Sequence, residues 1–360
     1  MELHPLHVVS CDVLVIGGGG AGLRAAIEAK GKGARVIVVS KSRAGYGNNT
    51  MMSKATFAEA SGWADSRDNP EEMARDTIVG GRFINDQKLV DAVAQGSETL
   101  MAFLEKRGVR FLRQQDKIRA IHVPGHRYPR HARVEGQTGR GLTLPLRAYA
   151  LQKGVRFADR TCITRLFPSD KGRIAAATGF DQDGRFFVFH ARCFVLATGG
   201  FAQIYLHTNN APGITGDGQA LAYDLGIPLK DMEFVQFYPT ASGSGGSRII
   251  LYEDLIFGGH AVLRNSWGEN VIARHGLDHS MGMTRDLLAR AIMKEVLEGR
   301  GVAGGVLVDL SKASEEHLLQ YQSLFTDSDT KTFVVSPTTH FCNGGVMINE
   351  HAETAVPGLF

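Results

Sequence analysis

Residues 17–22 read Gly17-Gly18-Gly19-Gly20-Ala21-Gly22, which contains G-x-G-x-x-G at positions 17, 19 and 22. Glycines at that spacing do one kind of chemistry: they let backbone approach a pyrophosphate, which then meets the N–H groups and dipole of a helix N-terminus. The flanks agree. Val13-Leu14-Val15-Ile16 precedes the motif as a buried strand. Leu23, Ala26 and Ile27 follow it on one helical face, and Val36-Ile37-Val38-Val39 forms a second buried strand. An Asp or Glu roughly 20 residues past the motif would hold ribose hydroxyls. This chain has Ser40 and Lys41 there. The dinucleotide reading stands, and an ordinary NAD site loses its best support.

The remaining reactive side chains point away from metals and disulfides. Cys11, Cys162, Cys193 and Cys342 are scattered, with no C-x-x-C, which predicts buried thiols in a reducing compartment and no zinc site. A net charge of +3 on 360 residues is too small to argue for nucleic acid. The basic stretch His126, Arg127, Tyr128, Arg130, His131 and Arg133 reads as a partly solvated loop. No apolar run approaches the ~20 residues that span a bilayer, and "MELHPLHVVS" lacks a signal-peptide core. A cytoplasmic protein is the simplest expectation.

The elements that position these residues follow from local pattern. "NPEEMARDTI" starts a helix with Asn69 as N-cap, Pro70 at the first helical position and acidic residues in the first turn. Leu100, Phe103 and Leu104 give a helix near 97–107 its apolar face, and Gly108 ends it. Residues 172–200 read as a hairpin turning at Asp183-Gly184, then a buried strand running into Thr198-Gly199-Gly200. From about 233 to 335 come shorter strands and a helix over 285–298, capped by Thr284 and stopped by Gly299. The expected architecture is α/β: a doubly wound Rossmann-like domain over 1–232, an inserted α+β cap over 233–335, and a return to the first domain over 336–360.

Several stretches together resemble the FAD-dependent flavoprotein family of succinate dehydrogenase, fumarate reductase and L-aspartate oxidase. They are "VIGGGGAGLRAA", "SK" in place of the acid, "NPEEMARDTIVGGRFINDQKLVDAV", "ATGG", "TGDGQALAYDLG", "DMEFVQFYPT", "TRDLLARAI" and "HFCNGGV". Their order and approximate spacing are similar over essentially the whole chain. The resemblance implies FAD, cradled at its pyrophosphate by Gly17, Gly19, Gly20, Ala21 and Gly22. It places Ser40 and Lys41 near the adenosine half, and Thr50 and Ser53 near the phosphates and ring. Asp217 would lie near the flavin, or simply form an Asp-Gly turn. Gly199 and Gly200 read equally as flavin contacts or as a strand-end turn. Thr138-Gly139 would lie beside the flavin. Respiratory members attach FAD through a His just before the loop threonine; Asn49 stands there, which implies non-covalent FAD.

The resemblance also implies roles in substrate chemistry. Arg285 matches the arginine that moves a proton while flavin exchanges a hydride with a small carboxylate; the alternative is a first-turn arginine pairing with Asp286. Arg290 reads as structural. His340 matches a histidine that holds a substrate carboxylate. Tyr238 replaces a second such histidine. Glu253 and Asp254 fall at a Thr-Glu pair, and Phe257 at a further arginine. An iron–sulfur electron-transfer subunit is an implied partner, with a peripheral position at the cytoplasmic face of a membrane. Family members continue past "VPGLF" with residues that include another substrate arginine. The competing readings are a binding or assembly module without catalysis, and an NAD-dependent dehydrogenase.

Overall fold

The structure is a computed structural model that describes residues 6–123, 125–243, 248–251, 255–256, 258–277, 283–325 and 331–360. It divides into two compact units. The first comprises Met1–Gly199, Gly216–Lys230 and Gly345–Phe360, and the second Gly200–Thr215 and Asp231–Gly344.

The first unit is built on a parallel sheet in the order Cys193–Leu196, Val13–Ile16, Val36–Ser40, Arg156–Asp159. Its strands are covered on both faces. Val15 and Val38 pack with Leu23, Ala26 and Ile27 of helix Gly20–Gly31 and with Leu146 of helix Thr138–Gln152. Leu14, Ile16, Ile37 and Val39 pack with Ile163 and Phe189 of a second sheet. Two-sided burial is why these strands read as unbroken apolar runs. Gly358 and Phe360 accept from Phe194 and Leu196 at 2.8 and 2.7 Å, so the last residues line the sheet beside Cys193–Leu196.

In the second sheet, Ile174–Asp181 and Phe186–His190 form the expected hairpin. Asp181 ties its turn by accepting from the N–H groups of Asp183 and Arg185, both at 3.0 Å. Asn69 caps helix Pro70–Gly80 by accepting from Glu72 N at 2.9 Å. Helix Gln87–Ser97, capped by Asp86, was not expected. The helix expected over 97–107 is only Leu100–Glu105, and it buries Met101 and Leu104. Phe103 instead lies between the guanidinium groups of Arg24 and Arg107, at 3.9 and 3.5 Å. Part of the basic stretch is internal structure: Arg130 is fully buried and pairs with Asp68 at 2.7 Å and Asp76 at 2.9 Å.

The second unit is an antiparallel sheet in the order Ile249–Ile250, Val235–Ser242, Thr332–Cys342, Val306–Asp309, Val262–Arg264. Leu288 and Ile292 of helix Arg285–Leu297 pack on Val306, Val308, Phe333 and Val335. Strand Thr332–Cys342 runs unbroken through the boundary expected at 335/336, because Ser336–Cys342 pairs with Val235–Ala241. Residues 336–344, and 200–215 with them, therefore belong to the second unit. Thr284 is the N-cap by position, yet its hydroxyl bonds the Asp286 carboxylate and caps no backbone N–H.

One buried carboxylate ties this unit together. Glu295 accepts from Arg300 at 2.8 and 3.0 Å, from Asn265 at 2.9 Å, and meets His275 at 2.7 Å. The Arg300 hydrogen bonds lead in lowering its pKa from 4.5 to about 2. A depressed carboxylate pKa contributes stability above the unfolded-state value, and that contribution disappears as pH falls through the folded one. Chemical denaturation should show the second unit weakening from about pH 4.5 toward pH 2. Glu295→Gln should be less stable at neutral pH, because the buried Arg300 then keeps only the more exposed Glu298 as counter-charge, and should lose this acid slope.

Candidate cofactor cradle and acid–base cluster

The glycines of the first unit divide into two jobs. An ideal Cβ on Gly17 would lie 2.1 Å from the Ala197 carbonyl oxygen, and one on Gly22 would lie 1.9 Å from that of Gly17. These two let strand, turn and helix touch through backbone. Gly17 also holds φ +119°, a region that side chains with a Cβ rarely adopt. Gly19 and Gly20 face a different neighbour. The nearest atom to a Cβ on Gly19 would be Thr50 Oγ1 at 3.6 Å, and Gly20 N donates to that hydroxyl at 3.2 Å. Gly19 is the N-cap of helix Gly20–Gly31 and caps it with no side chain, while Ala21 is exposed. A helix N-terminus without a side chain at its N-cap, bordered by glycine and a threonine hydroxyl, suits a diphosphate.

The loop opposite is fixed by its own bonds. Asn48 caps the short helix Asn49–Met52 by accepting from Met51 N at 2.9 Å. Ser53 O accepts from Gly139 N at 2.8 Å, and a Cβ on Gly139 would lie 1.8 Å from Thr50 O. The expected neighbours Thr50, Ser53, Thr138 and Gly139 are thus together. Asn48 was missed, although an Asn before a short polar turn is an ordinary capping signal.

Ser40 is buried at the end of its strand, opposite Asp159 in the ladder. Asp159 stands beside the strand end where a ribose ligand was missing, but it accepts from Ala44 N at 2.8 Å and from Arg147 Nη2 at 2.8 Å. Its carboxylate braces the loop after Lys41. Lys41 and Asp217 form an ion pair at 2.8 Å. Residues assigned to opposite ends of the cofactor therefore share one place, 176 positions apart in sequence. Gly199 has φ +81° and its carbonyl accepts from Gln219 at 3.1 Å, which fits the strand-end turn. Gly200 packs on Cys342 of the second unit, with 3.2 Å between an ideal Cβ and Cys342 Cβ.

In the second unit, Arg285 opens its helix and donates through Nη1 to Gln236 at 3.1 Å. Its guanidinium lies 4.8 Å from the centre of the Tyr238 ring. Asp286 pairs with Arg290 at 2.9 Å, where both side chains are exposed. Tyr238 is buried and meets His340 edge-on, ring centres 5.3 Å apart. The ladder pairs Phe341 with Gln236 and Thr339 with Phe237, so His340 is the extra residue of a β-bulge. Bulges re-aim side chains next to active sites.

The state of His340 follows from its neighbours. Burial first, then the charge of Arg285, lowers its pKa to about 4, so the imidazole is neutral at pH 7. The Asn209 amide faces His340 Nδ1 with its nitrogen at 3.0 Å and its oxygen at 3.2 Å, so which ring nitrogen carries the proton depends on how that amide is turned. The histidine expected to hold a substrate carboxylate is neutral at pH 7 and keeps one N–H to donate. Glu253, Asp254 and Phe257 lie outside the described residues. Among the described residues, no group of three or more His, Cys, Asp or Glu could hold a metal ion, and no helix is long and apolar enough to cross a membrane.

A parallel α/β sheet with a glycine cradle, joined to a second unit carrying an Arg-Tyr-His cluster, defines a dinucleotide-dependent flavoprotein. Residues 12–360 match the FAD binding domain family. The chain belongs to the flavoprotein family that includes succinate dehydrogenase, fumarate reductase and L-aspartate oxidase. It is 35% identical to an uncharacterized FAD-dependent oxidoreductase of Methanocaldococcus jannaschii, over 97% of this chain and 65% of the relative. It is 34% identical to a subunit of the CoM/CoB fumarate reductase of Methanothermobacter marburgensis, over 98% of this chain and 66% of that subunit. A polypeptide of the Mycobacterium smegmatis Sdh1 complex superposes with a TM-score of 0.86 at 35% identity, over 98% of this chain and 62% of that one. The chain thus spans about 65% of the length of these relatives.

The two jobs of the glycines can be separated. Gly22→Ala places a Cβ against backbone and should cost about 3 kcal/mol or more of stability without cofactor. Gly19→Ala should cost about 1 kcal/mol or less, as a weaker N-cap, yet expel FAD. Melting of the stripped protein, with flavin content after reconstitution, checks both.

Proposed function

We propose that this chain is the flavoprotein part of an FAD-dependent oxidoreductase that passes a hydride between non-covalently held FAD and a small carboxylate, with Arg285 moving the accompanying proton. When bound, FAD supplies the hydride chemistry, which no side chain here can perform. The residues of this chain supply position, charge and protons. Gly19, Gly20 and Thr50 hold the diphosphate, and the Lys41–Asp217 pair borders the cofactor. Asn49, an amide where respiratory relatives use a histidine, offers no ring nitrogen for a covalent bond.

The observation that carries the reading is the setting of Arg285, held by Gln236 and Tyr238 in the same cluster as His340. A guanidinium keeps its proton to about pH 12 or beyond. Arg285 therefore acts only where a carbanion develops beside it and a relay replaces the proton at once. His340 donates its one ring N–H to a carboxylate oxygen, and Tyr238 adds a phenolic donor without charge. Electrons leave or arrive through a partner, and an iron–sulfur subunit suits a member of this family.

Arg285→Ala should lower turnover by about 10²–10⁴-fold while the visible flavin spectrum persists. Unchanged turnover with FAD bound would remove the proton-transfer role. After acid precipitation, flavin should appear in the supernatant; colour kept in the pellet would overturn non-covalent binding.

A further inference from the structure

Two histidines of the basic stretch have no part in the mechanism above. His126 and His131 are half-buried. Their rings meet edge-on, with Nε2 3.3 Å from Nε2 and centres 4.6 Å apart. Arg130 fixes where the protons sit. A guanidinium only donates, so His126 Nδ1, 3.5 Å from Arg130 Nη1, accepts. His126 then carries its proton on Nε2 and donates to His131 Nε2. His131 carries its own on Nδ1 and donates to the Thr56 hydroxyl at 2.7 Å. Every ring nitrogen of the pair is engaged while both rings are neutral.

One end of this chain of bonds fastens the wall of the cofactor cradle. Thr56 follows Ser53 by three residues, and Phe57–Ala58 after it pairs with His131–Ala132. The same stretch holds the loop at two more points: Gln137 Nε2 donates to Met51 O at 3.0 Å, and Gly139 N to Ser53 O at 2.8 Å. The other end is crowded with charge. Arg130 is fully buried against Asp68 and Asp76, and His122 Nε2 lies 2.6 Å from the His126 carbonyl oxygen. The ladder neighbours of His131, Ala58 and Ile121, carry no charge. A proton added to His126 would enter at Nδ1 and face an Arg130 N–H. One added to His131 would enter at Nε2 and face the His126 N–H. Either proton breaks a link and sets a new cation beside a buried guanidinium. Asp76 favours a charged His126, but burial first, then Arg130, lowers its pKa, and His122 adds to them. Burial first, then His126, Arg130 and His122, lowers that of His131 to about 4.

We propose that the His126–His131 pair is an acid-operated latch: neutral, it fastens residues 49–56 to strand His131–Ala132, and protonated, it releases that wall of the cradle and weakens the hold on FAD. The latch rests on the reading of Thr50 and Ser53 as a cofactor wall, and the test separates the two. A histidine held neutral strengthens the closed wall fully above its ordinary pKa of 6.5, and that contribution is lost as pH falls from there toward about 4. Freeing one such histidine weakens binding by up to about 30-fold at about pH 5. Glu295 of the second unit titrates below this window.

The test is fluorescence titration of the flavin-free chain with FAD across this pH range. Wild type should bind FAD about 10-fold or more weakly at about pH 5 than at about pH 7.5. His131→Asn offers Thr56 an uncharged amide donor and should bind FAD almost equally at both. His126→Gln, which can still accept from Arg130 and donate to His131, should lose part of the slope. Wild-type affinity that is flat with pH, or a full slope kept by both variants, would overturn the latch alone. Should the variants bind no FAD at all, the ring resonances of flavin-loaded wild type decide. A His131 that titrates well below its ordinary value supports the latch, and one that titrates at that value overturns it. Wild type that binds no FAD at any pH would remove the cradle reading and the latch with it.

Discussion

The first unit depends on backbone touching backbone at Gly17. The carbonyl of Ala197 and the carbonyl of Gly17 occupy the volumes that side chains on Gly17 and Gly22 would need. This contact lets helix Gly20–Gly31 start immediately above the end of strand Val13–Ile16, with Cys193–Leu196 alongside. The helix N-terminus then stands at the C-terminal end of the strands, where Gly20 N donates to the Thr50 hydroxyl and Gly19 supplies no side-chain cap. A larger residue would push the helix away and move the partial positive charge that an anion needs. The second tier of contacts, Thr50 against Gly20 and Gly139 against Thr50, sets the opposite wall by the same device of missing Cβ atoms.

Much of this was legible in the sequence, because the signals are local. A β-α-β unit shows itself in two apolar runs and a glycine turn, the hairpin in Asp183-Gly184, and the helix at Pro70 in its Asn cap. Helix Gln87–Ser97 was overlooked although Leu89, Val90, Val93 and Ala94 recur at helical spacing behind an Asp86 cap, and of its residues only Ala94 and Ser97 are buried. The boundary at 335/336 failed for another reason. Strand Thr332–Cys342 continues through Pro337 because Arg248 and the paired strand support it from elsewhere in the chain. Pairings such as Lys41 with Asp217 carry no local pattern at all.

The candidate site shows the same division. The family motifs located Arg285, Tyr238 and His340, and the structure gathers them around one end of a helix and one bulge. No motif gives the state of His340. It follows from burial and from the neighbouring guanidinium. A bulge is equally silent in sequence, since it is a mismatch between two strands and belongs to neither alone.

Charge is the constraint that the second unit leaves open. Arg285 is a cation and His340 is neutral at pH 7. In the proposed reading, an entering carboxylate meets one guanidinium group and a neutral imidazole. The anion also reverses one cause of the low His340 pKa, because it offsets the field of Arg285 that disfavours an imidazolium. Burial remains the larger cause and opposes protonation throughout. In the proposed reading His340 therefore stays neutral and binds substrate through its one N–H, while Arg285 and its relay move the proton; an imidazolium would be the better acid, but burial keeps that cation from forming at pH 7.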